Sequence, residues 1–104
     1  MLQQVTTEQY KGIDKTGPYI LEFYSSTCGP CKMLSYVLKD IDKNDPDFRI
    51  YQAEFNENAD LKEELGVTGF PTILLMKDGK EVSRIEGLKQ KPFIVEEIAK
   101  LKAM

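Results

Sequence analysis

The chain has 104 residues, 41% of them hydrophobic and 30% charged, which is typical of one globular domain that spans residues 1–104 and has its own apolar core. Fourteen basic and seventeen acidic residues give a net charge of −3, and because no basic stripe is present the composition excludes a nucleic-acid-binding surface. No apolar run is long enough to span a bilayer, and the amino-terminal residues have no secretory-signal features, so the sequence predicts a cytoplasmic protein.

The first part of the chain predicts a strand, a short helix and a second strand. A strand over residues 2–5 precedes a brief helix capped by Thr6 or Thr7. The run over residues 19–24 is almost entirely apolar and aromatic, which is typical of a strand covered on both faces. Glu22 is the only charged residue in this run, and alternation places it on a face that should be covered.

The rest of the chain predicts a helix, a strand and a helix, followed by a hairpin and a final helix. In order, these elements are an amphipathic helix ending near residues 44–46, a strand over 48–55, a helix over 58–65 stopped by Gly66, strands over 72–77 and 81–85, and a helix opened by Pro92. Asp78-Gly79 is a strong hairpin signal between the last two strands. The order β-α-β-α-β-α-β-β-α predicts an α/β fold with a mixed sheet and helices on both of its faces.

The only two cysteines, Cys28 and Cys31, flank Gly29-Pro30 between the apolar strand and the amphipathic helix. This position puts Cys28 just before the first helical turn and Cys31 inside it, where unpaired backbone N–H groups and the helix dipole favour a thiolate over a thiol. The thiolate is the nucleophile of disulfide exchange. The sequence therefore favours Cys28 as the exposed, attacking thiol and Cys31 as the thiol that resolves the mixed disulfide.

Other interpretations of the pair stay open at this point. The cysteines could be buried structural thiols, or a regulatory disulfide that senses oxidants without turnover. A zinc site needs four ligands, and a chain with two cysteines and no histidine could supply them only by pooling thiols in a dimer. A protein-interaction subunit is an alternative from a different functional class, and it would keep its function in a Cys28→Ser variant.

The chain resembles the thioredoxin family over essentially its full length. The resemblance rests on Cys28-Gly29-Pro30-Cys31 after the strand, on Gly69-Phe70-Pro71-Thr72 before the hairpin, on Asp78-Gly79 within it and on Gly87 after it. It implies a thioredoxin fold with a central mixed sheet of four to five strands, about four helices and a cis peptide at Pro71. It also implies a thiol–disulfide oxidoreductase that reduces protein disulfides.

The resemblance extends to further site residues and to partners. Glu22 would be the buried acid that relays a proton to or from Cys31. The docking surface for substrate would consist of Thr27, Gly29, Pro30, Thr68, Gly69, Phe70, Pro71 and Gly87. No bound cofactor or metal is implied, because the redox group is the Cys28–Cys31 disulfide and electrons come from NADPH through thioredoxin reductase. The implied partners are disulfide-containing proteins and that reductase, and the expected state is a monomer.

Three positions depart from the family pattern. Thr27 stands where an aromatic residue, usually Trp, precedes the first cysteine, so either docking is weaker or the set of partners is different. Gln52 stands where many bacterial members have a lysine beside the acid, and the missing cation would leave the pKa of Glu22 higher. The acid is Glu rather than the commoner Asp, as in several relatives that act as disulfide isomerases, which leaves the direction of electron flow open.

Overall fold

A computed structural model describes all 104 residues as nine elements in the predicted order. The elements are β1 (Leu2–Gln4), α1 (Thr7–Lys11), β2 (Pro18–Tyr24), α2 (Gly29–Asn44), β3 (Arg49–Glu54), α3 (Ala59–Glu64), β4 (Thr72–Lys77), β5 (Lys80–Glu86) and α4 (Lys91–Lys102). The predicted boundaries agree with the observed ones to within about two residues. The β4–β5 turn lies at Asp78-Gly79, and both residues have positive φ, 53° and 81°, as a tight hairpin turn requires.

The five strands form one mixed sheet in the order β1-β3-β2-β4-β5. Strands β1, β3 and β2 are parallel, whereas β4 is antiparallel to both β2 and β5. Tyr24 is paired with Glu54, Phe23 with Thr72, and Thr72 with Glu86. The carboxyl ends of β2, β3 and β5 and the amino end of β4 therefore meet at one edge of the sheet.

Two apolar clusters hold the sheet between two layers of helices. On one face, α2 and α4 pack against Ile20, Ile50, Ile73 and Leu75. On the other face, α1, α3 and Val67 pack against a cluster that includes the rings of Tyr19, Phe23 and Tyr51. Complete burial of one such side chain stabilises the fold by about 1.5–3 kcal/mol. Both faces of β2 are covered, as its sequence predicted.

The helix that follows the cysteine motif is amphipathic. The residues of α2 that are buried are Cys31, Leu34, Leu38 and Ile41, which recur at intervals of three and four and so form one stripe. Pro30 lies in the first turn, where its missing N–H costs nothing. Of the four helices, none is long and apolar enough to cross a membrane.

Candidate active site

Four connecting segments meet at the sheet edge where β2, β3 and β5 end and β4 begins. The peptide bond between Phe70 and Pro71, directly before β4, is cis. The backbone N–H of Gly87, after β5, donates to the carbonyl of Pro71 at 2.9 Å. The Thr72 hydroxyl donates to the carbonyl of Gly69 at 2.8 Å. These bonds hold the turn before β4 next to the end of β5, on the edge from which β2 leads into Cys28.

The two cysteines form a disulfide at the start of α2, with their Cα atoms 5.2 Å apart. Cys28 is the N-cap residue, and its Sγ accepts a hydrogen bond from the backbone N–H of Cys31 at 3.1 Å. Cys28 is half-buried, whereas the exposed fraction of Cys31 is only 3%. An N–H group that points at Sγ of Cys28 stabilises negative charge on that sulfur when the disulfide opens. The geometry distinguishes an accessible sulfur from a buried one.

The chain gathers no metal-ligating group around the cysteines. No set of three or more His, Cys, Asp or Glu side chains is arranged to hold an ion. Both cysteines are joined to each other, and the chain has no free thiol. The arrangement of this site is that of a redox-active disulfide.

Glu22 is completely buried in β2, on the face covered by α2. Its Oε1 accepts a hydrogen bond from Nε2 of Gln52 at 2.8 Å, because Gln52 is the register partner of Glu22 on β3. Its Oε2 has no hydrogen-bond partner. Burial raises the pKa of Glu22 from 4.5 to about 7, and the hydrogen bond from Gln52 opposes this rise. The buried acid therefore titrates near neutral pH, well above the ordinary range of a glutamate.

A cleft of about 520 Å³ lies beside the disulfide. Both cysteines and Thr27 border it, and so does Gln52, which connects it to the buried Glu22. Lys32 and Lys39 line the cleft and no carboxylate does, although the net charge of the chain is −3. The neighbourhood of the sulfurs is thus polar, and its charge is opposite in sign to that of the whole protein.

The predicted docking residues differ in their exposure. Thr27, Gly29, Pro30, Thr68 and Phe70 are exposed, Gly69 and Gly87 are half-buried, and Pro71 is buried. The ring of Phe70 is 42% exposed, a high value for a large apolar side chain. It packs edge-on against Phe55, with ring centroids 5.1 Å apart.

Two residues at this edge were not singled out from the sequence. Phe55 supports Phe70, and Glu54 is a buried carboxylate that accepts hydrogen bonds from the backbone of two loops. Glu54 is the only acid in the strand predicted over residues 48–55, which is the available sequence signal. This signal is weak, because an acid near a strand end is most often solvated.

Comparisons with known proteins agree over nearly the whole chain. The thioredoxin family model matches residues 1–100. The thioredoxin of Chlamydia caviae is 35% identical over 95 residues, which cover 91% of this chain and 93% of that protein. A thioredoxin structure from Nicotiana alata has a TM-score of 0.85 at 27% identity and covers 96% of this chain and 91% of its own. A mutant thioredoxin from Halobacterium salinarum has a TM-score of 0.90 at 25% identity, with coverage of 99% and 92%.

Proposed function

Because the chain belongs to the thioredoxin family and is a thiol–disulfide oxidoreductase, we propose that it reduces protein disulfides with Cys28 as the attacking thiol and Cys31 as the resolving thiol. The observation that carries this assignment is the difference between the two sulfurs. Cys28 is accessible at the N-cap and accepts an N–H bond, whereas Cys31 is buried one turn further on. Only the accessible sulfur can meet a sulfur of another protein.

The reaction has two exchange steps. The Cys28 thiolate attacks one sulfur of the substrate disulfide, so that a mixed disulfide forms and the other substrate sulfur leaves as a thiolate. The Cys31 thiol then loses its proton and attacks Sγ of Cys28, which closes the Cys28–Cys31 disulfide and releases the second substrate sulfur. The substrate gains two electrons, and the cysteine pair loses two.

Glu22 is the residue we assign to the proton of Cys31. Its pKa of about 7 allows it to accept a proton and to return it at neutral pH. Its unpartnered Oε2 lies on the β2 face that α2 covers, and α2 contains Cys31. Gln52 donates to Glu22 and also borders the cleft beside the sulfurs, so the acid lies one side chain away from that cleft.

Substrate docking is assigned to the exposed residues of the same sheet edge. Thr27, Gly29 and Pro30 would contact the substrate on the side of the cysteines. On the other side, the substrate would lie on Thr68, Gly69, Phe70, Pro71 and Gly87. Because Thr27 is small, Phe70 is the main apolar contact on this surface. Proteins that carry disulfides are the substrate class typical of the family.

The electrons for each cycle would come from NADPH through a thioredoxin reductase. We propose that the chain acts as a monomer in the cytoplasm, in line with the bacterial origin of relatives such as the Chlamydia caviae thioredoxin. A reducing compartment keeps such a pair ready to donate electrons.

Insulin reduction tests this function. With NADPH and a thioredoxin reductase we expect catalytic reduction of the insulin disulfides, which is abolished in Cys28→Ser. In Cys31→Ser we expect a mixed disulfide between Cys28 and the substrate to accumulate, because the resolving thiol is missing. Turnover with dithiothreitol but not with the reductase would refute the assigned electron source. No turnover with either electron source would refute the proposed function. A mixed disulfide trapped in Cys28→Ser would refute the assignment of Cys28 as the attacking thiol.

A further inference from the structure

The Glu54 carboxylate, at the carboxyl end of β3, has no part in the exchange chemistry and is nevertheless buried, with an exposed fraction of 7%. Its Oε2 accepts a hydrogen bond from the backbone N–H of Ser26 at 3.0 Å. Its Oε1 accepts hydrogen bonds from the N–H groups of Asn56 at 2.5 Å and Glu57 at 3.0 Å. All three donors are main-chain groups, and they belong to two different loops.

Glu54 forms no salt bridge, so its charge is balanced mainly by these backbone N–H groups. Burial acts to raise the pKa of Glu54, but the N–H bonds from Ser26, Glu57 and Asn56 hold that pKa below its ordinary value. The carboxylate is therefore ionised at neutral pH. Hydrogen bonds to an ionised acceptor are roughly twice as strong as neutral ones. A single side chain thus ties two loops together strongly.

One of the two loops leads into the attacking sulfur. The residues between β2 and α2 form a turn in which the N–H of Cys28 donates to the carbonyl of Ser25 at 3.3 Å. Ser26, the residue held by Glu54, lies in the middle of this turn. A shift of Ser26 would therefore move this turn and the adjacent Thr27, whereas Cys28 is also held in place as the N-cap residue of α2.

The other loop supports the opposite side of the docking surface. It begins with Phe55, whose ring packs against Phe70, and Phe70 directly precedes Pro71. The loop is fixed at its far end as well, because the Asn58 side chain donates to the Glu54 carbonyl at 2.8 Å and accepts from the Thr7 N–H at 2.7 Å. The loop is thus held by its own side chains, and Glu54 links it to the cysteine loop.

We propose that Glu54 is a positioning residue for the reduction of protein disulfides, because its carboxylate sets the distance between the loop that presents Cys28 and the loop that supports Phe70. This inference rests on the proposed function, since it concerns how a protein substrate docks. The carboxylate acts through backbone groups and does not touch the substrate. Its effect is confined to substrates large enough to contact both sides of the surface.

Glu54→Gln is the main test variant. The amide keeps the volume of the carboxyl group, but only one of its two end atoms can accept a hydrogen bond. The remaining oxygen can serve one loop, and the NH2 group then faces an N–H of the other loop. The link between the loops is broken while the packing is kept. Glu54→Ala removes both the link and the packing.

Glu57→Gln is the matched control variant. It changes an exposed glutamate three residues along the same loop, and it leaves the backbone N–H of Glu57 in place as a donor to Glu54. A general effect of lost negative charge at this edge would appear equally in Glu57→Gln and in Glu54→Gln.

The assay compares two substrates under turnover with dithiothreitol, so that no reductase has to dock. The first is insulin, and the second is 2-hydroxyethyl disulfide, which is too small to contact both sides of the surface. For Glu54→Gln we expect KM for insulin to rise about tenfold with kcat nearly unchanged, which corresponds to about 1.4 kcal/mol. The rate with the small disulfide should stay within about twofold of wild type, because the reaction at Cys28 is unaltered. Amide hydrogen exchange at Ser26 should become faster in the same variant.

Two results would overturn the role of Glu54. One is unchanged insulin kinetics in Glu54→Gln, and the other is an equal loss with both disulfides, which would mean that the variant damages the cysteine site itself. A wild-type chain that reduces neither disulfide would refute the proposed function instead. The two failures are distinguishable, because the first requires an active wild type.

Discussion

Replacing Glu22 with glutamine should change the free energy of unfolding relative to wild type in a pH-dependent way. The difference, variant minus wild type, should be larger at high pH than at low pH. In the unfolded chain Glu22 ionises near its ordinary pKa of 4.5, whereas in the folded protein burial raises this pKa to about 7. Between these two values the unfolded state has lost the proton and the folded state retains it. The contribution of Glu22 to the stability of wild type therefore falls as pH rises through this window.

The size of the effect follows from the two pKa values. One pH unit of difference corresponds to about 1.4 kcal/mol, so the interval from 4.5 to about 7 corresponds to a loss of about 3 kcal/mol. Below about pH 4.5 Glu22 is protonated in both states and contributes no pH dependence, and above about pH 7 the loss is complete. Glutamine does not titrate. The free energy of unfolding of Glu22→Gln minus that of wild type should therefore increase by about 3 kcal/mol across the window.

Urea denaturation of the oxidised proteins at intervals from about pH 4 to about pH 8.5 measures this difference. Subtracting the wild-type curve removes the titration of all other groups. Glu63→Gln is the control variant, since Glu63 is exposed on α3, and its difference curve should be flat. A flat curve for Glu22→Gln would show that Glu22 is not a buried acid with a raised pKa, and it would remove the basis for its assigned role with Cys31.

Two further predictions concern the surroundings of this site. Gln52→Met removes the hydrogen bond that opposes the rise in the pKa of Glu22. The midpoint of the Glu22 titration, followed by carboxyl carbon NMR, should therefore move above about 7. An unchanged midpoint would contradict this prediction. Leu38→Ala should lower the free energy of unfolding, measured in urea, by about 2–5 kcal/mol, because Leu38 is completely buried in α2. The control is Met33→Ala on the same helix. Because the Met33 side chain is 61% exposed, this variant should change the free energy of unfolding by less than about 0.5 kcal/mol. Equal losses in the two variants would contradict the observed packing of α2.

Much of the fold was accessible from local patterns. The apolar run of β2, the amphipathic spacing of α2 and the Asp78-Gly79 turn each depend on residues close together in sequence, and the structure confirms all three. Alternation along β2 also placed Glu22 on the covered face. The strand order β1-β3-β2-β4-β5 does not follow from local patterns, because it depends on which apolar faces pack together across the whole chain.

The parts of the site that local patterns did not predict depend on contacts between distant residues. The family resemblance pointed to Gln52 beside Glu22, but the hydrogen bond between them forms only through the β2–β3 register of residues thirty positions apart. Glu54 accepts hydrogen bonds from backbone N–H groups, and the sequence does not indicate them because every residue except proline has such a group. The exposed Phe70 packs against the ring of Phe55, and these two residues are fifteen positions apart in sequence. None of these contacts follows from composition or periodicity.

The buried residues of α2 limit how much stability the fold loses when the disulfide is reduced. Leu34, Leu38 and Ile41 anchor the helix to the sheet with no help from the sulfur–sulfur bond. A ring closed over a sequence separation of three restricts the unfolded chain far less than a long loop would, since closure entropy grows with loop length. Opening this ring should therefore cost the fold less stability than opening a disulfide that closes a long loop would. Electrons can thus enter and leave at Cys28 and Cys31 while the packing of Leu34, Leu38 and Ile41 keeps α2 on the sheet.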